Sequence, residues 1–135
     1  MKNLDIYLVS DKGNGYNAWV VVVDTGTTVF SRRGKSKYKK GTAYVIEGLC
    51  DVLDKIWYKE TFDLRLYCNN ARIIEAIDSR FITKLSINIK DKDDAVWRRL
   101  EKIYLKFNAF DTYKIDTKSE HYLNAKSQMN NMLGK

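Results

Sequence analysis

Six positive side chains and no acid fall within eleven consecutive residues, Ser31-Arg32-Arg33-Gly34-Lys35-Ser36-Lys37-Tyr38-Lys39-Lys40-Gly41. Ammonium and guanidinium groups at this density neutralise phosphates and release condensed counterions, and Tyr38 adds one ring on which a base can stack. The whole chain holds 24 Lys and Arg against 17 Asp and Glu, so removing these six leaves 18 against 17. The formal charge of +7 is therefore concentrated in one segment, and Gly34 and Gly41 suit it to a mobile arm. Arg32, Arg33, Lys35, Lys37, Tyr38, Lys39 and Lys40 are the candidate nucleic-acid-binding residues. A solvated hairpin extension that only aids solubility is the competing reading.

Other reactive side chains are sparse. Cys50 and Cys68 lie in no CxxC or Cys/His cluster and are expected as reduced, buried thiols. His121 is the only histidine, which leaves little from which to assemble a zinc site, and it is expected on a helix surface. Asp11 opens the turn-forming run Asp11-Lys12-Gly13-Asn14-Gly15, and Glu47 lies near the start of a helical pattern. Taken singly, a turn aspartate and a glutamate favoured by the helix dipole explain both.

The elements that must position these residues follow from periodicity. Leu4-Asp5-Ile6-Tyr7-Leu8-Val9 reads as a first strand, and residues 16–23 and 27–32, joined by Asp24-Thr25-Gly26, as a hairpin. Ala18-Trp19-Val20-Val21-Val22-Val23 has no polar face, so both sides of that strand should be covered, by helices or by the basic segment. From Thr42, as N-cap, the period becomes helical with Val45, Leu49, Val52, Leu53 and Ile56 on one stripe. Residues 62–68 form a strand, and Asn69 or Asn70 caps a short helix through Ile73, Ile74 and Ile77. Residues 79–90 read as an irregular connection. A third helix starts near residues 91–94 and carries Trp97, Leu100, Tyr104 and Phe107; residues 112–116 make the last strand, and a final helix from Ser119 carries Tyr122, Ala125, Met129 and Met132.

The order is βββαβααβα, an α/β fold with a five-stranded mixed sheet, strands four and five parallel to the first, and helices on both faces. A chain of 135 residues with 44% hydrophobic side chains forms one domain, residues 1–135. The longest apolar run is far short of a membrane span, and Met1-Lys2-Asn3-Leu4-Asp5 lacks the apolar stretch of a signal peptide, so a cytoplasmic protein without membrane contact is expected.

Several segments, in this order, resemble the type 1 ribonuclease H family. Ile6-Tyr7-Leu8-Val9-Ser10-Asp11-Lys12-Gly13 is similar to the family's first-strand motif, which ends Thr-Asp-Gly. Thr42-Ala43-Tyr44-Val45-Ile46-Glu47-Gly48-Leu49 is similar to Thr-x-Asn-x-Met-Glu-Leu, with Ala43 and Tyr44 in place of substrate-touching asparagines. Tyr67-Cys68-Asn69-Asn70-Ala71-Arg72-Ile73-Ile74-Glu75-Ala76-Ile77 is similar to Tyr-Thr-Asp-Ser-x-x-hydrophobic-x-x-Ala-Ile. Lys92-Asp93-Asp94-Ala95-Val96-Trp97-Arg98-Arg99-Leu100 resembles Lys-Asp-Leu-Trp-x-Arg-Leu, and Glu120-His121-Tyr122-Leu123-Asn124-Ala125-Lys126-Ser127 echoes Asn-x-x-Ala-Asp-x-Leu-Ala. The family's mobile catalytic histidine and its basic handle helix have no counterpart.

The resemblance implies four relict catalytic positions, Asp11, Glu47, Asn69 and Asn124, converging on one side of the sheet. In the family, four carboxylates neutralise two Mg²⁺ ions about 4 Å apart that together carry a charge of +4. Here Asp11 and Glu47 alone remain charged, which implies no cofactor, or at most one weakly held Mg²⁺ or Mn²⁺, and an impaired nuclease. The expected role is a module that binds an RNA/DNA hybrid, a nucleic-acid duplex or a protein partner. Two alternatives stand beside it. One is an active metal-dependent endoribonuclease of RNA/DNA hybrids, or a structure-specific nuclease, in which Asp51, Asp116 or Glu120 migrates into the ligand set. The other is a purely structural protein-interaction domain.

Overall fold

The computed structural model describes residues 2–39, 41–82 and 94–135. Five strands, β1 (Lys2–Gly13), β2 (Tyr16–Asp24), β3 (Val29–Ser36), β4 (Phe62–Cys68) and β5 (Ala109–Lys114), form one sheet in the order β3-β2-β1-β4-β5. β1 pairs antiparallel with β2, β2 antiparallel with β3, and the pairs β1 with β4 and β4 with β5 are parallel. Helices α1 (Gly41–Leu53), α2 (Ala71–Ile77), α3 (Asp94–Tyr104) and α4 (Glu120–Leu133) complete the fold, with a π-helical turn at Asp78–Ile82. This is the mixed α/β architecture expected from the periodicities.

Strand alternation divides the interior in two. Leu4, Ile6 and Leu8 of β1 meet Trp19, Val21 and Val23 of β2 and the apolar faces of α1, α2 and α3, forming the larger core. Val9, Ala18, Val20 and Val22 face the other way and are closed by Ala125, Met129 and Leu133 of α4. Both sides of β2 are thus buried by helices, as its all-apolar run requires. Burying a Leu or Val side chain contributes about 1.5–3 kcal/mol, so this central strand anchors both layers.

Trp19 shows how closely the larger core is fitted. A Cβ at Gly34 of β3 would sit 2.8 Å from its Nε1, and one at Gly48 of α1 would sit 2.3 Å from its Cε2. The indole is clasped between a strand and a helix at the two positions where only glycine leaves room.

Three boundaries differ from expectation. Asn17 pairs with Ser36, Ala18 with Lys35 and Val20 with Arg33, so β3 runs to Ser36 and most of the basic segment is an edge strand rather than a mobile arm. The physical reason is the long β2 ladder, which continues because Gly34 admits Trp19. α1 starts at Gly41, whose φ of 75° only glycine adopts readily, so Thr42 lies inside the first turn instead of capping it. β5 begins at Ala109, three residues before the expected start. The cap of α2 is Asn70, which accepts a hydrogen bond from Arg72 N at 3.0 Å. The first residues assigned to α3 and most of the 79–90 connection lie outside the described residues. Among the described residues, no helix is long and apolar enough to cross a membrane.

Candidate nucleic-acid interface and relict site

β1 and β4 run side by side, so Asp11 and Asn69 meet at their C-terminal ends. Asn69 clamps the neighbouring strand at two points: its Oδ1 accepts from Ser10 N at 3.0 Å, and its Nδ2 donates to Ser10 O at 3.1 Å. The amide continues the parallel ladder as a peptide group would. A carboxylate could not, because it has no donor for the Ser10 carbonyl.

Asp11 pairs in register with Ala18 and so projects toward α4. Its Oδ2 lies 3.0 Å from Lys135 Nζ and 3.6 Å from Lys126 Nζ. Lys135 Nζ also donates to Lys12 O at 3.2 Å, while Asp11 Oδ1 accepts from Lys12 N at 2.8 Å. Partial burial pushes the Asp11 carboxyl up, but the hydrogen bond from Lys135, that from Lys12 N and the charges of both lysines outweigh it, so its pKa lies below the ordinary value.

The other two relict positions have partners of their own. Glu47 belongs to α1, on the opposite face of the sheet from α4, and its carboxylate is paired with Lys39 Nζ at 3.0 Å. Asn124 Oδ1 accepts from Gln128 Nε2 at 3.0 Å, and that same nitrogen lies 3.1 Å from Ser31 Oγ of β3. Asn124 therefore faces the β3 flank of α4, and the residue that reaches Asp11 is Lys126. The structure brings Asp11 and Asn69 to neighbouring strand ends, but joins Glu47 and Asn124 to partners of their own.

This arrangement does not suit the metal pair described for the family that the chain resembles. Among the described residues, no three His, Cys, Asp or Glu side chains come together as a metal site. Asp11 already faces two ammonium groups, which with its single negative charge leave the cluster at +1. Of the carboxylates considered for migration, Asp51 is 2.8 Å from Arg99 Nη1, and Asp116 accepts from Lys118 N at 2.9 Å.

The basic segment is an ordered surface. Register places Arg33 and Lys35 on the α4 side of the sheet and Arg32 on the α1 side. Lys35 Nζ donates to Met132 O in the last turn of α4 at 3.1 Å, a favourable place for a cation at a helix C-terminus. Lys35 and Lys37 both lie over the Tyr16 ring, 4.7 and 5.1 Å from its centroid. Arg32 lies over Phe30 at 5.4 Å. Ser36 Oγ accepts from Tyr38 N and Lys39 N at 3.2 and 3.0 Å, forming a turn that leaves Tyr38 92% exposed. Lys39 is held by Glu47, whose hydrogen bond and charge raise its pKa. Arg33 and Lys37 have no ion-pair partner among the described residues, and Lys40 lies outside them.

Sequence reasoning missed Lys126 and Lys135. Nine residues are two and a half helical turns, and Lys135 lies beyond the Gly134 that ends the last helix, so nothing in their spacing placed both beside Asp11. Both thiols are buried and unpaired, and burial pushes Cys50 up to about 12 and Cys68 up to about 11. His121 is a helix-surface residue with a defined contact, its Nε2 lying 2.9 Å from Asp24 Oδ2.

No protein-family model and no curated protein sequence matches the chain. Solved structures do. The N-terminal RNase H domain from Mycobacterium tuberculosis aligns with a TM-score of 0.64 at 12% identity, over 97% of this chain and 96% of that one. RNase H1 from Halobacterium salinarum gives 0.60 at 10% identity over 93% and 92%. LC11-RNase H1, in complex with an RNA/DNA hybrid, gives 0.65 at 12% identity over 92% and 91%. The fold is that of ribonuclease H.

Proposed function

We propose that this ribonuclease H fold is a diverged relative of the type 1 enzymes, a single cytoplasmic domain that binds an RNA/DNA hybrid or duplex and does not cleave it. The observation that carries this reading is the pair of ammonium groups on Asp11. A site that opens on cations of its own chain repels the divalent ions that hydrolysis by this fold requires. The hybrid-bound LC11 structure supports nucleic acid as the ligand class for the fold.

Phosphate contacts are expected along β3, from Arg33 and Lys37 first and Arg32 and Lys35 second. Lys39 contributes less because Glu47 neutralises it. Point charges on an edge strand grip the backbone without reading bases, so binding should be salt-dependent and weak in sequence preference.

The test combines a cleavage assay with a salt titration. A labelled RNA/DNA hybrid with Mg²⁺ or Mn²⁺ should stay intact while it shifts in a gel. Replacing Arg33 and Lys37 by alanine should flatten the slope of log K against log salt by up to about 1.8 for a B-form duplex. Metal-dependent cleavage that Glu47→Gln abolishes would restore the rearranged-nuclease reading. An unchanged salt slope would remove β3 as the binding surface.

A further inference from the structure

At the other end of the sheet, two adjacent aromatic side chains stand in solvent. Trp57 is 77% exposed and Tyr58 is 71% exposed, whereas Trp19 and Trp97 are 8% and 4% exposed. Burying such rings elsewhere in the core would be favourable, so their display needs a reason. Tyr58 is also held in the left-handed region, at φ 57° and ψ 46°, which costs a non-glycine residue about 1–3 kcal/mol. Thr61 fixes it there, donating to Tyr58 O from both its N–H at 2.9 Å and its hydroxyl at 2.7 Å.

The two rings border a shallow, open cleft of about 500 Å³ whose lining includes Ile56, Lys59, Glu60 and Lys106. Small-molecule sites occupy roughly 300–1,000 Å³ and combine an apolar wall with a few polar groups. Lys59 and Lys106 are close enough to repel: burial and the charge of Lys106 push Lys59 below the ordinary lysine range, against smaller opposing effects of Asp54 and Glu60. Lys59 Nζ donates to Ile56 O at 2.7 Å, and Lys106 has no ion-pair partner among the described residues. Asp54, also on the lining, is already paired with Arg99 at 2.6 Å. A second cavity of about 590 Å³ uses the same two rings and adds Lys2.

Stacking surface, paired cations and one carboxylate acceptor are together the complement of a nucleotide. We infer that the Trp57–Lys106 cleft binds a nucleotide, its base stacked on Trp57, its phosphate on Lys59 and Lys106, and its hydroxyl or amino hydrogens donated to Glu60. The nucleotide is either free or an unpaired residue of a nucleic-acid strand; the chemistry is the same. The cleft adjoins the N-terminal ends of β1 and β4, roughly 30 Å along β1 from Asp11. It therefore stands or falls independently of the β3 surface.

Calorimetric titration of the full chain with AMP, adenosine, inorganic phosphate and a single-stranded oligoadenylate tests it, with Trp57 fluorescence as a second readout. AMP should bind at least about 10-fold more tightly than adenosine or phosphate alone. Trp57→Ala and the pair Lys59→Ala with Lys106→Ala should each weaken it about 10-fold or more. Trp57 is exposed, so that variant keeps the fold, as circular dichroism will verify. The Arg33→Ala/Lys37→Ala protein should bind AMP like wild type. Binding of the oligoadenylate but not of AMP, lost in Trp57→Ala, assigns the cleft to a strand nucleotide. No heat or fluorescence change with any nucleotide up to about 1 mM, the weak end of ordinary metabolite affinities, overturns the inference. So does equal affinity for phosphate and AMP, or binding untouched by Trp57→Ala.

Discussion

The two ends of the sheet treat their polar groups in opposite ways. At the C-terminal ends of β1 and β4, Asp11 faces two lysines, Asn69 is hydrogen-bonded to the Ser10 backbone, and no three His, Cys, Asp or Glu side chains among the described residues gather as a metal site. At the N-terminal ends, two rings are held out in solvent, and two lysines share a cleft with Glu60 without forming an ion pair among the described residues. The end at which family resemblance concentrates its motifs pairs its aspartate with lysines, and the end at which it is silent leaves two rings exposed. Resemblance locates where a fold has done chemistry; satisfied or unsatisfied groups locate where a given chain can still do it.

The sharpest break would come from metal affinity at Asp11. Lys126→Asp with Lys135→Ala turns the cluster charge from +1 to −2, and Mn²⁺ binding, followed by calorimetry, should strengthen by at least about 100-fold, or about 2.7 kcal/mol. Asn69→Asp with Asn124→Asp keeps both ammonium groups and should change it by less than about 10-fold. If the asparagine pair restores tight Mn²⁺ binding and the lysine pair does not, the lysine-pairing account is wrong.

A smaller contrast concerns stability. Asn69→Asp loses the donor to Ser10 O and should cost about 0.5–1.5 kcal/mol in urea unfolding. Trp57→Ala removes a larger side chain from an exposed position and should stay within about 0.5 kcal/mol of wild type. Equal losses at both sites would show that Trp57 is a structural residue.

The architecture was legible because alternation and helical stripes report burial directly, as in the all-apolar run from Ala18 to Val23. The site was legible only in part. Asn124 and Lys126 lie two residues apart, which is about 200° around a helix axis, so one faces β3 and the other Asp11. Periodicity tells which residues share a flank but not which strand that flank borders. The length of β3 was hidden for a similar reason: Arg33 and Lys35 look like a loop until Gly34 is seen to make room for Trp19.

The weakest expected effect is in pH dependence. A carboxyl with a depressed pKa contributes stability that is fully present above its ordinary pKa of 3.8 and is lost as pH falls through the lower folded value. Asp11→Asn should therefore lower stability near neutrality by about 1 kcal/mol or less, and the gap should close on acidification below about pH 4. Chemical denaturation at a series of pH values checks it, and a gap that widens in acid would contradict the lysine pairing.

The indole clasped between Gly34 and Gly48 has an evolutionary corollary. Three positions from three different elements, 19, 34 and 48, share one volume, and none can drift alone: a methyl group at either glycine collides with the ring, and a smaller residue at Trp19 empties the space that both glycines frame. Among diverged copies of this chain, substitutions there should arrive as a set, with a smaller side chain at 19 accompanying any loss of glycine at 34 or 48. Such a covarying trio would tie the basic strand to α1 as one inherited unit.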